Sequence, residues 1–208
     1  MEIVNPLANA LQRTILRTFA DWRVMGEENV PPIGPLIVVA NHQSNFDPSL
    51  ISTSLPRRVR FLAKKGIFKG PVTRWFLNSY GAFPINREGT DVAAYRWALN
   101  QLARDQAIVF FPEGSRTKGV MRKAKTGIAR IAIKTQAPIL PIGITGTAHL
   151  GSVTRVFNPT GKIRVTIGTT FTIPYIEGRI DKELLGSITS MIMQRVGILL
   201  PPSNRGPY

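Results

Sequence analysis

The chain has 208 residues, 27 Lys and Arg against 12 Asp and Glu for a formal net charge of +15 at pH 7, and a 43% apolar composition. That length suits one globular domain, or one domain with an appended arm, and the apolar fraction excludes a disordered tail protein. The lack of cysteine excludes disulfide frameworks, thiolate zinc sites and a cysteine nucleophile; two histidines exclude a three-histidine metal site; and the basic surface seeks anions, whether nucleic acid, acidic lipid, phosphorylated small molecules or an acidic carrier protein.

In chain order, residues 3–25 read as a helix with an apolar stripe. Ile3, Leu7, Leu11, Ile15, Phe19 and Trp22 recur at intervals of four or three, with Arg13 and Arg17 on the far side. The plain reading packs this stripe on the domain. The sharper one lays it in a lipid interface, with Phe and Trp inserted and Arg towards headgroups. Gly26–Pro35 is a turn-rich connection. After it, strands at Leu36–Ala40, Val59–Ala63, Ala82–Ile85, Ile108–Phe111, Ile139–Ile144 and Ile163–Gly168 alternate with helices at Asp47–Ser54, Pro71–Ser79, Asp91–Arg104, Thr126–Thr135 and Asp181–Val196. Such alternation predicts an α/β domain with a mostly parallel sheet flanked by helices. Thr145–Gly161 reads as loop. The expected organisation is an N-terminal amphipathic helical arm at 1–25, one domain at 26–200 and a loose tail at 201–208.

No run approaches the ~20 apolar residues of a spanning helix. The N-terminus lacks the basic patch and apolar stretch of a secretory signal, so the expected address is cytoplasmic, with a peripheral membrane position open. Charge is uneven. Seven basic residues lie between Arg57 and Arg74, seven more between Arg116 and Lys134, and no Asp or Glu occurs between Glu113 and Glu177.

Chemistry gathers where loops follow strands. Asn41-His42-Gln43-Ser44-Asn45-Phe46-Asp47 follows the strand Leu36–Ala40, at the end where α/β sheets place their ligand sites. Asp47-Pro48 has the form of an N-cap followed by the first helical residue. Within one continuous helix His42 and Asp47 would stand about 140° apart, so a bent loop is needed to bring them together. A carboxylate on one imidazole nitrogen fixes the tautomer and supports the imidazolium that forms when the other nitrogen takes a proton. The pair is two-thirds of a nucleophile-activating triad without the protein nucleophile, so the attacking group could come from a substrate hydroxyl. The bland alternative is a His on a turn and an Asp that only caps a helix.

Phe110-Phe111-Pro112-Glu113-Gly114-Ser115-Arg116 follows the strand Ile108–Phe111: glycine allows close backbone approach, and arginine offers a fork that matches phosphate oxygens in pairs. Gly81-Ala82-Phe83-Pro84-Ile85-Asn86-Arg87 is another strand ending in arginine, and taken alone Arg87 reads as an exposed side chain. Lys125-Thr126-Gly127 precedes a helix whose first N–H groups suit an anion. Ile139-Leu140-Pro141-Ile142 places proline inside an apolar run, which predicts an edge strand.

Together, in this order, the Asn-His-x-Ser-x-x-Asp, Gly-x-Phe-x-Ile-x-Arg, Phe-Pro-Glu-Gly-Ser-Arg and apolar-Pro-apolar blocks closely resemble the glycerolipid acyltransferase family, and most of all its members that acylate 1-acyl-glycerol 3-phosphate. The resemblance runs from about Gly26 to Gly146. It implies that His42 is the general base for a lysophospholipid hydroxyl and that Asp47 orients it. It implies that Glu113, Gly114 and Arg116 bind the glycerol-phosphate moiety, with Arg87 a second phosphate contact and Pro141 shaping the acyl or acceptor pocket; Ser115 on the same loop and Lys125 before its helix complete the candidate substrate contacts. The donor would be acyl-CoA or acyl carrier protein. A thioester is already activated, so no metal or resident cofactor is expected. Position 115 is Ser where relatives often carry Thr, and the spanning helices of many relatives are missing. The implied partners are the lysophospholipid, the thioester carrier and an anionic membrane surface, with the protein peripheral on the inner face of the cell membrane. A non-enzymatic nucleic-acid module has only charge in its favour: aromatics are 8%, with no stacking motif or zinc finger.

Overall fold

A computed structural model of the chain describes residues 3–86, 91–151, 155 and 157–208. Seven strands form one sheet: β1 (Asp21–Met25), β2 (Leu36–Ala40), β3 (Val59–Lys64), β4 (Ala82–Ile85), β5 (Ala107–Phe110), β6 (Ile139–Thr145) and β7 (Lys162–Ile167). Their spatial order is β1-β7-β6-β2-β5-β3-β4, and every pairing is parallel except β6 with β7. The helices are α1 (Val4–Phe19), α2 (Asp47–Ser54), α3 (Gly70–Tyr80), α4 (Val92–Leu102), α5 (Gly127–Thr135) and α6 (Lys182–Gly197).

The central strand β2 is buried along its whole length, as a parallel strand covered on both faces must be. Its alternation serves two cores. Leu36, Val38 and Ala40 face a core closed by α1, α2 and the end of α3; Ile37 and Val39 face one closed by α4, α5 and α6. The chain leaves β2 through α2 on the first face and leaves its neighbour β5 towards α5 on the second. A crevice therefore opens between the carboxyl ends of two adjacent strands.

The predicted elements from Leu36 to Val196 are met to within a residue or two. Four expectations need correction. The helix expected over 3–25 ends at Phe19; 21–25 is the edge strand β1, with Trp22 opposite Ile163 of β7. Those five residues therefore belong to the sheet rather than to a helical arm. The segment 201–208 is docked, not loose: the Asn204 carbonyl accepts from the Met121 N–H at 2.9 Å, and the Tyr208 hydroxyl accepts from the Ala124 N–H at 2.7 Å. Pro141 lies on an interior strand. Ile139 exchanges both backbone bonds with Phe171 on the β7 side, so Pro141, two residues on, turns its nitrogen to that side too. The antiparallel ladder proper begins only at Ile142 opposite Ile167, and the missing N–H falls in the gap.

The fourth correction concerns α1. Its amphipathicity is inverted relative to packing on the domain. Ile3, Leu7 and Leu11 are 76%, 68% and 58% exposed, whereas Asn5 and Gln12 are 2% and 5% exposed. The polar face docks because α2 presents hydroxyls to it. Gln12 Nε2 donates to Ser49 Oγ at 3.1 Å, Asn9 Nδ2 to the Ser52 carbonyl at 3.0 Å, and Thr53 Oγ1 to Gln12 Oε1 at 3.1 Å. Asn5 Nδ2 donates to the Tyr80 carbonyl at 2.8 Å, and Tyr80 Oη donates to Asn9 Oδ1 at 2.8 Å, which ties α3 to the same face. Among the described residues no helix is long and apolar enough to cross a membrane.

Candidate active site

The site starts with an imitation of strand pairing. Beyond the end of β2, the Asn41 side chain donates to the Ile144 carbonyl at 2.9 Å and accepts from the Ile144 N–H at 2.8 Å, extending the ladder to β6 by one rung. The backbone is thereby free to turn at His42. Ser44 holds the turn: its hydroxyl donates to the Leu150 carbonyl and accepts from the Phe46 N–H at 3.1 Å.

The turn folds His42 back onto Asp47. His42 Nδ1 lies 2.8 Å from Asp47 Oδ2, and the same oxygen accepts from the N–H groups of Gln43 and Ser44 at 2.6 and 2.7 Å. The other oxygen, Oδ1, accepts from Thr147 Oγ1 at 2.7 Å. The expected N-cap is thus corrected: Asp47 is the first residue of α2 and serves N–H groups before it, not those after it. Asp47 and Thr147 are both wholly buried, and four donors satisfy the carboxylate. His42 is buried, stacks on the Phe111 ring at 4.3 Å between centroids, and makes no hydrogen bond from Nε2 among the described residues. Asp47 fixes Nδ1, so Nε2 is the nitrogen left for a reactant.

Glu113, on the loop after β5, joins the two motif loops. Its Oε1 accepts from the His42 N–H and its Oε2 from the Arg122 N–H, both at 2.8 Å. The Thr117 N–H donates to the His42 carbonyl at 2.8 Å, so His42 is held through both of its backbone groups. Burial pushes the Glu113 carboxyl above its ordinary range, opposed by those two backbone donors. Glu113 was expected against the glycerol-phosphate moiety; the structure instead engages both of its oxygens inside the protein, where they brace His42. Gly114 takes φ +71°, and its N–H donates to the Phe111 carbonyl at 3.0 Å. The Lys125 side chain crosses it so closely that a Cβ at position 114 would meet Lys125 Cε at 3.1 Å. Arg122 Nη1 donates to Ser115 Oγ at 3.2 Å, and Arg116 is exposed.

The structure therefore brings together His42, Asp47, Glu113, Gly114, Ser115 and Lys125, with Arg116 on the same loop. Arg87 lies outside the described residues. Pro141 stays apart: its ring lies so close over Gly168 that a Cβ there would meet Pro141 Cγ at 3.0 Å. The sequence motifs do not single out Thr147, Phe111 or Arg122. Thr147 follows the fourth block by only a few residues, but nothing in its spacing links it to a carboxylate 100 positions away. Phe111 lies within the Phe-Pro-Glu-Gly-Ser-Arg block and Arg122 within the basic stretch from Arg116 to Lys134, and neither carries a local signal for its role.

Comparison with known proteins gives this constellation its context. The family model described as Acyltransferase matches residues 21–145. The chain is 34% identical over 131 residues to a chloroplastic 1-acyl-sn-glycerol-3-phosphate acyltransferase of Brassica napus, covering 61% of this chain and 38% of that protein. A Bacillus subtilis 1-acyl-sn-glycerol-3-phosphate acyltransferase is 27% identical over 190 residues, covering 91% of this chain and 92% of the relative. The crystal structure of the 1-acyl-sn-glycerophosphate acyltransferase PlsC from Thermotoga maritima superposes with a TM-score of 0.72 at 29% identity, covering 90% of this chain and 75% of that one. The chain spans well under half the length of several curated relatives it matches, 38% of the plant protein and 43% of one from Streptococcus pneumoniae. The match over more than half of its residues, which contains both the His42–Asp47 turn and the Glu113 loop, means that this chain belongs to the acyltransferase family.

Proposed function

We propose that the chain transfers a fatty acyl group from an acyl thioester to the free hydroxyl of 1-acyl-glycerol 3-phosphate, giving phosphatidic acid. The observation that carries this reading is the His42–Asp47 contact: Nδ1 is fixed at 2.8 Å by a carboxylate that is itself fully hydrogen-bonded, and Nε2 has no hydrogen-bond partner among the described residues.

His42 Nε2 accepts the proton of the acceptor hydroxyl as that oxygen attacks the thioester carbon. The carbonyl π bond opens to a tetrahedral oxyanion; on collapse the C–S bond breaks and the carrier leaves as a thiolate. The imidazolium, supported by Asp47 during its lifetime, returns the proton to sulfur. The products are an ester and a free thiol, and His42 is restored without a covalent intermediate on the protein. Arg116, Lys125 and Arg122 on the loop beside His42 supply positive charge for the acceptor phosphate, and a loop held to His42 through Glu113 keeps phosphate and hydroxyl in register. Coenzyme A and acyl carrier protein are both anionic carriers that suit a chain of net charge +15. The outward apolar face of α1 supports a peripheral place on a membrane, where the acceptor resides.

The test is a panel of glycerol 3-phosphate, 1-acyl-glycerol 3-phosphate and lysolipids with larger headgroups, each incubated with palmitoyl-CoA and with palmitoyl carrier protein, with products identified by mass. Phosphatidic acid should dominate, and His42→Ala should lower its formation by about 10²–10⁴-fold with the fold intact. Full activity in that variant would remove His42 as the base. Acylation of another acceptor in preference would overturn the substrate.

A further inference from the structure

We propose that α3 is a second lipid-inserting element, seated beside α1 in the surface of an anionic bilayer. This deepens the membrane part of the function proposed above and rests on it. Of its residues only Ser79 and Tyr80 are buried. Val72, Trp75 and Phe76, at i, i+3 and i+4 on one side of the helix, are 75%, 54% and 42% exposed. A helix of 11 residues is marginal alone in water, and most helical stability comes from packing a face. Here the water-facing side is apolar and aromatic.

Three observations choose the occupant. The first is charge: Lys64, Lys65 and Lys69 lead into the helix, Arg74 lies on it, and no Asp or Glu occurs between Asp47 and Glu88. Cations collared around an aromatic face complement acidic headgroups above acyl chains. A second copy would set these cations against their own kind. The second is continuity with α1. Phe76 stacks on Tyr80, centroids 5.9 Å apart and planes within 8°, and Tyr80 Oη donates to Asn9 of α1. Two exposed apolar faces are thus locked to one side of the same sheet, and α1 too contains no acid. The third is position. Because α3 follows β3, its exposed first turns start at the carboxyl ends of the parallel strands, the rim on which His42 stands. Insertion there turns the site towards the surface that supplies a lipid acceptor.

The experiment uses the full chain with phosphatidylglycerol vesicles whose acyl chains carry bromine, a short-range quencher of tryptophan. Quenching of the parent protein should fall sharply in Trp75→Phe. The Val72→Ser/Trp75→Ser/Phe76→Ser variant removes the exposed apolar side chains, loses the Phe76 stack on Tyr80 within the fold, and should still fold cooperatively but bind the vesicles at least about tenfold more weakly. Lys69→Gln/Arg74→Gln should weaken binding to phosphatidylglycerol about 30-fold and leave binding to phosphatidylcholine unchanged. Equal quenching in parent and Trp75→Phe, or undiminished binding of the triple variant, would overturn the proposal. So would a Trp75-dependent emission shift without vesicles, whether with mass doubling or on adding an acidic carrier protein. Acyl transfer to a short-chain acceptor dissolved as monomers separates the two readings. If the parent lacks that activity while Trp75 is quenched, only the enzymatic reading fails; if the activity persists while Trp75 is not quenched, only α3 docking fails.

Discussion

Helices α1 and α6 have the same length, 16 residues, and opposite habits. In α6 the inward stripe is Leu185, Ile188, Ile192, Met193 and Val196, while Lys182, Glu183, Gln194 and Arg195 face water. In α1 the inward stripe is Asn5, Asn9, Gln12 and Leu16, and Leu7 and Leu11 face out. Both patterns have the helical period. The period says that a helix has two faces; it does not say which one the domain keeps. For α6 the neighbour is an apolar sheet face, so burial of hydrocarbon decides. For α1 the neighbour is the hydroxyl-bearing surface of α2, so hydrogen bonding decides, and the hydrocarbon is left for another medium.

The comparison can be broken most severely by equal truncations. Ile192→Ala in α6 should cost about 2–5 kcal/mol in urea denaturation, the range for emptying a buried aliphatic site. Leu7→Ala in α1 should cost at most about 0.5 kcal/mol, as for an ordinary surface site, while weakening vesicle binding. Similar costs in the two helices would mean that α1 also buries its apolar face. An intermediate effect sharpens the point from the polar side. Asn5→Leu makes α1 more apolar yet should destabilise the fold by about 1–3 kcal/mol, because the Tyr80 carbonyl at the end of α3 loses its side-chain donor. A neutral or stabilising result would show that the inward amides are dispensable.

The smallest effect separates two kinds of buried polar group. The amides of α1 do not titrate, whereas Glu113 does. Its carboxyl is pushed up by burial, so the folded chain binds more protons than the unfolded chain between the ordinary glutamate value and the raised one. Stability from this group is therefore full below the ordinary value and declines as pH rises through the raised one. Glu113→Gln should abolish that part of the slope, read as the difference between the two proteins' stabilities across mildly acidic to neutral pH. A pH-independent difference would mean that Glu113 is not held above its ordinary range.

Much of the fold was legible because its signals are local. Leu36–Ala40 is a short, wholly apolar run before a polar turn, and it folds as an interior parallel strand with those bounds. The Asp47-Pro48 step marked where α2 starts, while the pairing of His42 with Asp47 came from the family resemblance, since the spacing alone also suited a helix cap. Trp22 misled because it extends the stripe of α1 by one more interval of three, yet it lies on a strand stabilised by β7, about 140 residues away.

The sequence by itself determined the alternation of strands and helices, the polar turn from His42 to Asp47, the Glu113–Arg116 loop and the excess of positive charge, since each is written in neighbouring residues or in composition. Only the tertiary structure decided what those residues face. It set Thr147 on Asp47, joined the Glu113 carboxylate to the His42 and Arg122 N–H groups, put Pro141 in a gap of an interior ladder, and left the apolar sides of α1 and α3 outward. The reason is physical: a side chain's partner is chosen by the surface packed against it, and that surface is assembled from segments far apart along the chain.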